Sequence, residues 1–245
     1  MRYLGIDISS NSTGWSAVDF KRGYFTLIDF GLIKPDGGMS HIQKLYLLGN
    51  EFERIFAKLK PENIAIEETI FVNNRKTMKI LTRFGGIILF KAYEYGKIEA
   101  NIYEPKKWKK ILGVGGNAKK ADVQLEVCRI FEKMSKDKLS SYKQKISDVY
   151  TDIEKTNEDA LSKENIEIRM GKDGINKTEA RKLIRKDLKK IIYKMEERFD
   201  QISMNIYTES GINSDIGDSV GITIADIKVR NNLIINEEKD DKKEK

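Results

Sequence analysis

Arg2-Tyr3-Leu4-Gly5-Ile6-Asp7-Ile8-Ser9-Ser10-Asn11-Ser12-Thr13-Gly14-Trp15 is the stretch on which the fold turns. It is apolar as far as Asp7, breaks in a Ser/Asn-rich turn and resumes at Trp15-Ser16-Ala17-Val18, the pattern of a two-stranded hairpin. A carboxylate then stands at the inner end of a central strand. Taken alone, Asp7 has two readings: it bonds its own turn, or it belongs to a site. The rest of the chain has to supply partners.

Residues 24–33 are a further β-rich run closed by Pro35-Asp36-Gly37-Gly38, a strong turn signal. Ser40 can cap a helix carrying Ile42, Leu45, Leu48, Phe52, Ile55 and Leu59 at helical spacing, which Pro61 stops. His41, the sole histidine, falls in its first turn and is expected to face solvent. Asn63-Ile64-Ala65-Ile66-Glu67-Glu68-Thr69-Ile70-Phe71 reads as a strand buried on both faces, hence central. Its acidic end is costly unless a cation or donor meets it, or unless the strand emerges into solvent there. Alternation turns Glu67 and Glu68 to opposite faces, so only one of them shares a side with Asp7.

Phe71, Asn73, Asn74, Arg75 and Lys76 then mix an aromatic, amides and cations in a loop. A helix follows through Met78, Leu81, Phe84, Ile88 and Ala92 to Gly96. The Gly85-Gly86 pair inside it points to close approach of another backbone, a second subunit among the options. Residues 98–103 read as a fifth strand. Pro105 opens a short helix bearing Lys106, Lys107, Lys109 and Lys110, which runs on to Gly113-Val114-Gly115-Gly116-Asn117-Ala118-Lys119-Lys120. From Tyr103 to Lys120 there are six lysines against Glu104 alone. Glycines that bare backbone N–H groups between lysines suit a phosphate backbone, and they equally suit a solvated basic loop. The P-loop pattern is absent.

A helix over 121–132 carries Val123, Val127, Ile130 and Phe131, with Cys128 as a small buried thiol. Residues 135–210 change character, with 17 basic and 15 acidic residues and few aromatics. Their first half reads as flexible, whereas Ala180, Leu183, Ile184, Leu188, Ile191, Met195, Phe199 and Ile202 form an amphipathic stripe over 176–202. This region is expected to be an insertion with one long helix. Ser214 then caps a last apolar helix with Asp215 and Asp218 in its first turn, three apart on one face. Carboxylates there satisfy the helix dipole or belong to a site. The charged tail from Glu237 onward is expected to be disordered.

Composition narrows the classes. The chain has 245 residues, one cysteine and a net charge of +7. One histidine and one cysteine cannot build a His-based triad or a zinc site, and a lone thiol forms no internal disulfide. The longest apolar run, Ile87-Ile88-Leu89-Phe90, is too short to span a bilayer, and no signal peptide is visible. A cytoplasmic location without membrane partners is expected, with polyanions as partners suited to the charge. Asp7, Glu67, Asp215 and Asp218 can form one carboxylate cluster. Such a cluster calls for Mg²⁺, with Mn²⁺ as a substitute, and two ions would support phosphodiester hydrolysis.

Gly5-Ile6-Asp7 with Thr13-Gly14-Trp15, Ala65-Ile66-Glu67, Val114–Lys120 and Ser214-Asp215-Ile216-Gly217-Asp218 resemble, in the same order, the motifs of RuvC-type Holliday junction resolvases. The resemblance covers 1–134 and 211–230. It implies an α/β, RNase H-like mixed five-stranded sheet flanked by helices, with the charged, largely helical insertion before the last catalytic helix. The expected domains are a nuclease core over 1–134, the insertion over 135–210, the closing helix over 211–235 and a disordered tail over 236–245. The resemblance implies a Mg²⁺-dependent homodimer that cuts four-way or other branched DNA. Asp7, Glu67, Asp215 and Asp218 would be metal ligands, and Lys109 and Lys120 would lie near the scissile phosphate. The 71–76 loop would approach the junction centre and the Gly85-Gly86 helix the dimer interface. Phe71, Asn73, Asn74, Arg75, Lys76, Lys106, Lys107, Lys110, Gly115, Gly116, Asn117 and Lys119 complete the expected DNA contacts. The family's loop aromatic falls one position earlier, at Ile70, and the insertion is not typical of the bacterial enzymes. With no histidine or cysteine, the insertion is neither an HNH nuclease nor a zinc ribbon. Two other classes are a junction-binding protein without cleavage and an actin- or sugar-kinase-like ATPase. The latter needs a second copy of the domain, which the sequence lacks.

Overall fold

The computed structural model describes residues 1–69 and 75–233. The positions expected for Phe71, Asn73, Asn74 and the charged tail lie outside the described residues. The chain divides into two compact units, Met1–Ala118 together with the segment from Asn213 onward, and Lys119–Ile212.

The first unit is built on a five-stranded sheet of β1 (Arg2–Asp7), β2 (Thr13–Lys21), β3 (Tyr24–Ile33), β4 (Asn63–Glu67) and β5 (Asn101–Tyr103), in the order β3-β2-β1-β4-β5. β1, β2 and β3 pair antiparallel, while β4 and β5 continue from β1 in parallel. This is the mixed five-stranded sheet flanked by helices expected from the resemblance. The helices α1 (His41–Leu59) and α2 (Arg75–Gly96) cover one face. There Leu4, Ile6, Ile64 and Ile66 of the sheet pack against Leu48, Phe52 and Phe56 of α1 and Phe84, Ile88 and Ala92 of α2. Ser40 caps α1 in a reciprocal pair with Gln43, and His41 behind it is exposed, as expected. The other face takes α3 (Pro105–Leu112) and α8 (Ser214–Arg230). Two of the expected strands are shorter: β4 stops at Glu67 and β5 begins only at Asn101. β5 offers three residues to pair with, so the ladder ends at the pair Glu67–Tyr103.

The second unit is helical, with α4 (Lys120–Ile130), α5 (Lys136–Ala160), α6 (Lys163–Asp173) and α7 (Lys177–Ser210). Two expectations need correction here. The first half of the 135–210 region is helical, not flexible: Ser135 and Ser162 cap α5 and α6, and α5 buries Tyr142, Ile146 and Val149 at helical spacing. One apolar residue per turn suffices because α7 supplies the rest, Leu188, Phe199, Ile202 and Ile206. Tyr150 of α5 lies 4.8 Å from the Phe199 ring. In addition, α4, which the sequence groups with the core, lies in this helical unit. Its buried Gln124 accepts from Ser203 of α7 at 2.5 Å and donates to the Ile212 carbonyl at 2.8 Å. Cys128 is buried in α4, and burial pushes its thiol pKa up, so it is an inert packing residue.

Candidate functional site

Asp7 and Glu67 are the last residues of the neighbouring parallel strands β1 and β4, whose register aligns Ile6 with Ile66. The two acidic residues therefore end side by side on one face of the sheet. That face is the one covered by α8, as Gly5, two residues before Asp7, shows. A Cβ on Gly5 would come 2.3 Å from the Ser219 carbonyl of α8. Gly14, the cross-strand partner of Asp7, has the same relation to the start of α8: its Cβ would lie 2.4 Å from the Asp215 carbonyl. Two glycines thus let α8 lie directly on β1 and β2, and the hydroxyls of Ser16 and Thr223 bond at 2.8 Å beneath it. Asp215 and Asp218, one turn apart on α8, are thereby carried to the strand end that holds Asp7 and Glu67.

Helix α8 begins one residue earlier than expected. Asn213, not Ser214, is the N-cap, accepting from the Ile216 N–H at 2.8 Å. Asp215 keeps its place in the first turn, whereas Asp218 falls just beyond it. All four carboxylates are half-buried, and Glu68 is exposed, as alternation requires.

The structure adds two residues that the sequence reading did not single out. Trp108 of α3 is fully buried, and its indole N–H donates to Glu67 Oε2 at 2.6 Å. Its ring packs where Gly221 of α8 leaves room, 2.7 Å from the position a Cβ would take there. An aromatic alone within Lys-Lys-Trp-Lys-Lys was the available signal. Asp226 is fully buried further along α8. It accepts from Tyr103 at 2.8 Å, Asn101 at 2.7 Å and the Arg230 guanidinium at 3.0 Å. Burial and the neighbouring Asp226 carboxylate push the Tyr103 hydroxyl pKa upward, so Tyr103 stays a donor. This network fixes α8 to β5 beside Glu67.

The basic segment divides. Lys106, Lys107 and Lys110 are exposed on α3. Lys109 is half-buried, its ammonium donating to the Ala118 carbonyl at 3.0 Å and lying 5.5 Å from the centre of the Trp108 ring. It thus braces the turn of Gly115, Gly116 and Asn117. Gly115 has φ 84°, and Gly116 sits 3.2 Å, at Cβ, from the Lys106 carbonyl. Lys119 and Lys120 belong to the helical unit, where Lys119 pairs with Glu196 at 2.5 Å and Lys120 is exposed at the first turn of α4. Arg75 and Lys76 open α2 and are exposed.

The donor set suits a hard divalent cation, since it offers only carboxylate oxygens fixed by two strands and one helix. As the side chains stand, no three His, Cys, Asp or Glu among the described residues form a group that could hold an ion.

Residues 3–149 match the family model described as crossover junction endodeoxyribonuclease RuvC. The RuvC of Chloroflexus aurantiacus is 33% identical over 124 residues, which cover 51% of this chain and 75% of that protein. The RuvC of Fusobacterium nucleatum is 28% identical over 126 residues, 51% of this chain and 65% of that one. The solved RuvC of Thermus thermophilus is 23% identical with a TM-score of 0.48, covering 54% of this chain and 81% of that one. Asp7, Glu67, Lys109 and Lys120 fall inside the stretch matched by the family model, and Asp215 and Asp218 fall beyond it. With the model spanning more than half of its length, this chain belongs to the RuvC family of crossover junction endodeoxyribonucleases.

Proposed function

We propose that this protein is a metal-dependent, structure-selective endodeoxyribonuclease that hydrolyses phosphodiesters in four-way or other branched DNA. The observation that supports the reading best is the register that ends β1 and β4 with Asp7 beside Glu67, under the helix that carries Asp215 and Asp218. The comparison with RuvC relatives supports the substrate class. Asp7, Glu67, Asp215 and Asp218 are the proposed ligands of Mg²⁺, with Mn²⁺ able to substitute. When bound, the ions supply an activated water and charge stabilisation at the leaving oxygen.

The chain's own side chains do the positioning. Trp108 holds one oxygen of Glu67 and so limits which way that carboxylate turns. Lys109 and Lys120 are the proposed cations near the scissile phosphate, Lys109 acting also as the brace of the glycine turn. The backbone N–H groups of that turn and the lysines of α3 are the proposed contacts to the DNA backbone. Among the described residues no helix is long and apolar enough to cross a membrane. The direct test compares a four-way junction with linear duplex of the same sequence, with and without Mg²⁺. Paired nicks in the junction only when metal is present are expected; equal cutting of linear duplex would refute junction selectivity.

Two symmetric cuts need two sites, and a C2 homodimer formed through α2 is the proposed assembly. The outer side of α2 supports it: Gly86, Phe90 and Tyr93 follow at helical spacing, with Phe90 60% and Tyr93 51% exposed. A Cβ on Gly86 meets nothing within 4 Å in the chain itself, whereas one on Gly85 meets Ile8 at 3.6 Å. Gly86→Leu should therefore leave the monomer intact, or stabilise α2 by about 0.5–1 kcal/mol. It should weaken the dimer by roughly 1–3 kcal/mol through overpacking. Sedimentation at a series of concentrations reads both quantities. A dimer constant identical to wild type would place the interface elsewhere.

A further inference from the structure

We infer that the N-terminal half of α7 is a second DNA-binding surface, a sequence-independent cradle for the phosphate backbone of a duplex arm. It rests on the reading of the protein as a branched-DNA endonuclease and assigns work to the helical unit, most of which lies beyond the family match.

Between Arg181 and Lys194 there are seven basic residues and one acidic, Asp187. Arg181, Lys182, Arg185, Lys186, Lys189, Lys190 and Lys194 are all exposed. At 100° per residue, Arg185, Lys189, Lys182, Lys186 and Lys190 span one continuous arc of the helix. Ala180, Ile184, Leu188, Met195 and Phe199 span the opposite arc, and Leu188 and Phe199 are buried against the rest of the helical unit. Tyr193, 67% exposed, stands in the middle of the basic arc and adds a hydroxyl that can donate to a phosphate. The apolar side therefore docks the helix and leaves the basic side outward.

An ordinary solvated helix relieves its charges by placing Glu and Lys four apart. Elsewhere the helical unit does so or pairs across helices: Lys163 with Glu167, Arg169 with Asp173, and Arg198 with Asp152. Here the four-residue spacing repeats like charges, Lys182 with Lys186, Lys186 with Lys190, Lys190 with Lys194, and Arg181 with Arg185 with Lys189. Asp187, the one acid, is turned toward Arg169 of α6 at 3.6 Å. A face that repels itself is stabilised by an external polyanion. The row from Arg181 to Lys194 is ~20 Å long, enough to reach both walls of a major groove about 12 Å wide. Lysines predominate and no Asn or Gln lies among them, so the face suits phosphates rather than base edges.

The test uses the full chain and a four-way junction in metal-free buffer, measuring Kd across a range of salt. Changing Lys182, Lys186, Lys190 and Lys194 to Gln should reduce the slope of log K against log salt by roughly two to four. Changing Arg181, Arg185 and Lys189 to Gln should have a similar effect, while the Lys→Arg version of the first set should keep the wild-type slope. With Mg²⁺ and saturating protein, the cleavage rate should stay within about twofold of wild type, because no proposed ligand is touched. Thermal stability should rise or hold, since self-repulsion is relieved. Unchanged slopes in both Gln variants, or a fall seen with duplex RNA and not with DNA, would overturn the inference. If wild type binds junctions but never cuts them, the proposed activity fails while the slopes still decide this one.

Discussion

Asp7→Asn is expected to abolish cleavage of a four-way junction, by about 10³-fold or more, while binding in metal-free buffer stays equal or tightens. The change keeps the size of the side chain and removes one anionic ligand. Losing ~4 kcal/mol of metal-borne transition-state stabilisation is a factor of about 10³ in rate. Binding should not suffer, because one fewer negative charge faces the phosphates. Glu67→Gln and Asp218→Asn should behave alike. In Glu67→Gln the amide oxygen can still accept from Trp108, so the fold should persist. Glu68→Gln is the internal control: it is exposed and turned to the other face, and its cleavage should match wild type. Single-turnover rates at saturating enzyme separate chemistry from binding. An Asp7→Asn protein that cuts as wild type does would end the metal-dependent reading of this site.

Gly14→Ala is expected to be nearly as damaging although it adds one methyl group and no charge. Its Cβ would stand 2.4 Å from the Asp215 carbonyl, a backbone atom that cannot rotate aside. Either β2 or the first turn of α8 must move. The overpacking cost is about 1–3 kcal/mol, or roughly 2–12 °C of Tm for a protein of this size. A displacement of ~1 Å in a catalytic group can cost about 10²-fold in rate. Asp215 is the residue displaced. Gly37→Ala, where an added Cβ meets nothing within 4 Å, should change neither Tm nor rate. Wild-type Tm and cleavage in Gly14→Ala would show that α8 does not rest on β2 as described.

The first strand with Asp7 at its end, and the opposite facing of Glu67 and Glu68, were legible because strand alternation is strict, whereas the preference for Glu67 came from the family resemblance. The last helix was legible as an element, yet its start was off by one. Asn213 and Ser214 are both good caps, and which of them aims at the Ile216 N–H depends on how the chain arrives. Trp108 and Asp226 were missed for a different reason. Their roles exist only across elements: Trp108 reaches Glu67 from α3, and Asp226 reaches Tyr103 from α8. A carboxylate inside the apolar run Ile222–Ile227, with Arg230 four residues on, was a readable hint of a buried pair. The helical unit was misread in α5 because local composition was judged alone. One apolar residue per turn looks like disorder until α7 is laid against it.

The helix that closes the sheet comes after the helical unit in the chain, and this fixes an order of events during synthesis. Strands β1, β2 and β4 emerge first, and the face that α8 will cover stays bare while Lys119–Ile212 is translated. At about 5–20 residues per second that interval is on the order of 5–20 s. The helices of the second unit make mostly near-neighbour contacts and can fold within it. The nuclease core cannot, because Gly5 and Gly14 await a helix that begins at Ser214. Tyr3, Ala65 and Tyr103 therefore spend those seconds uncovered on the ribosome, the stage at which a nascent chain of this design is most open to aggregation or to capture by a chaperone.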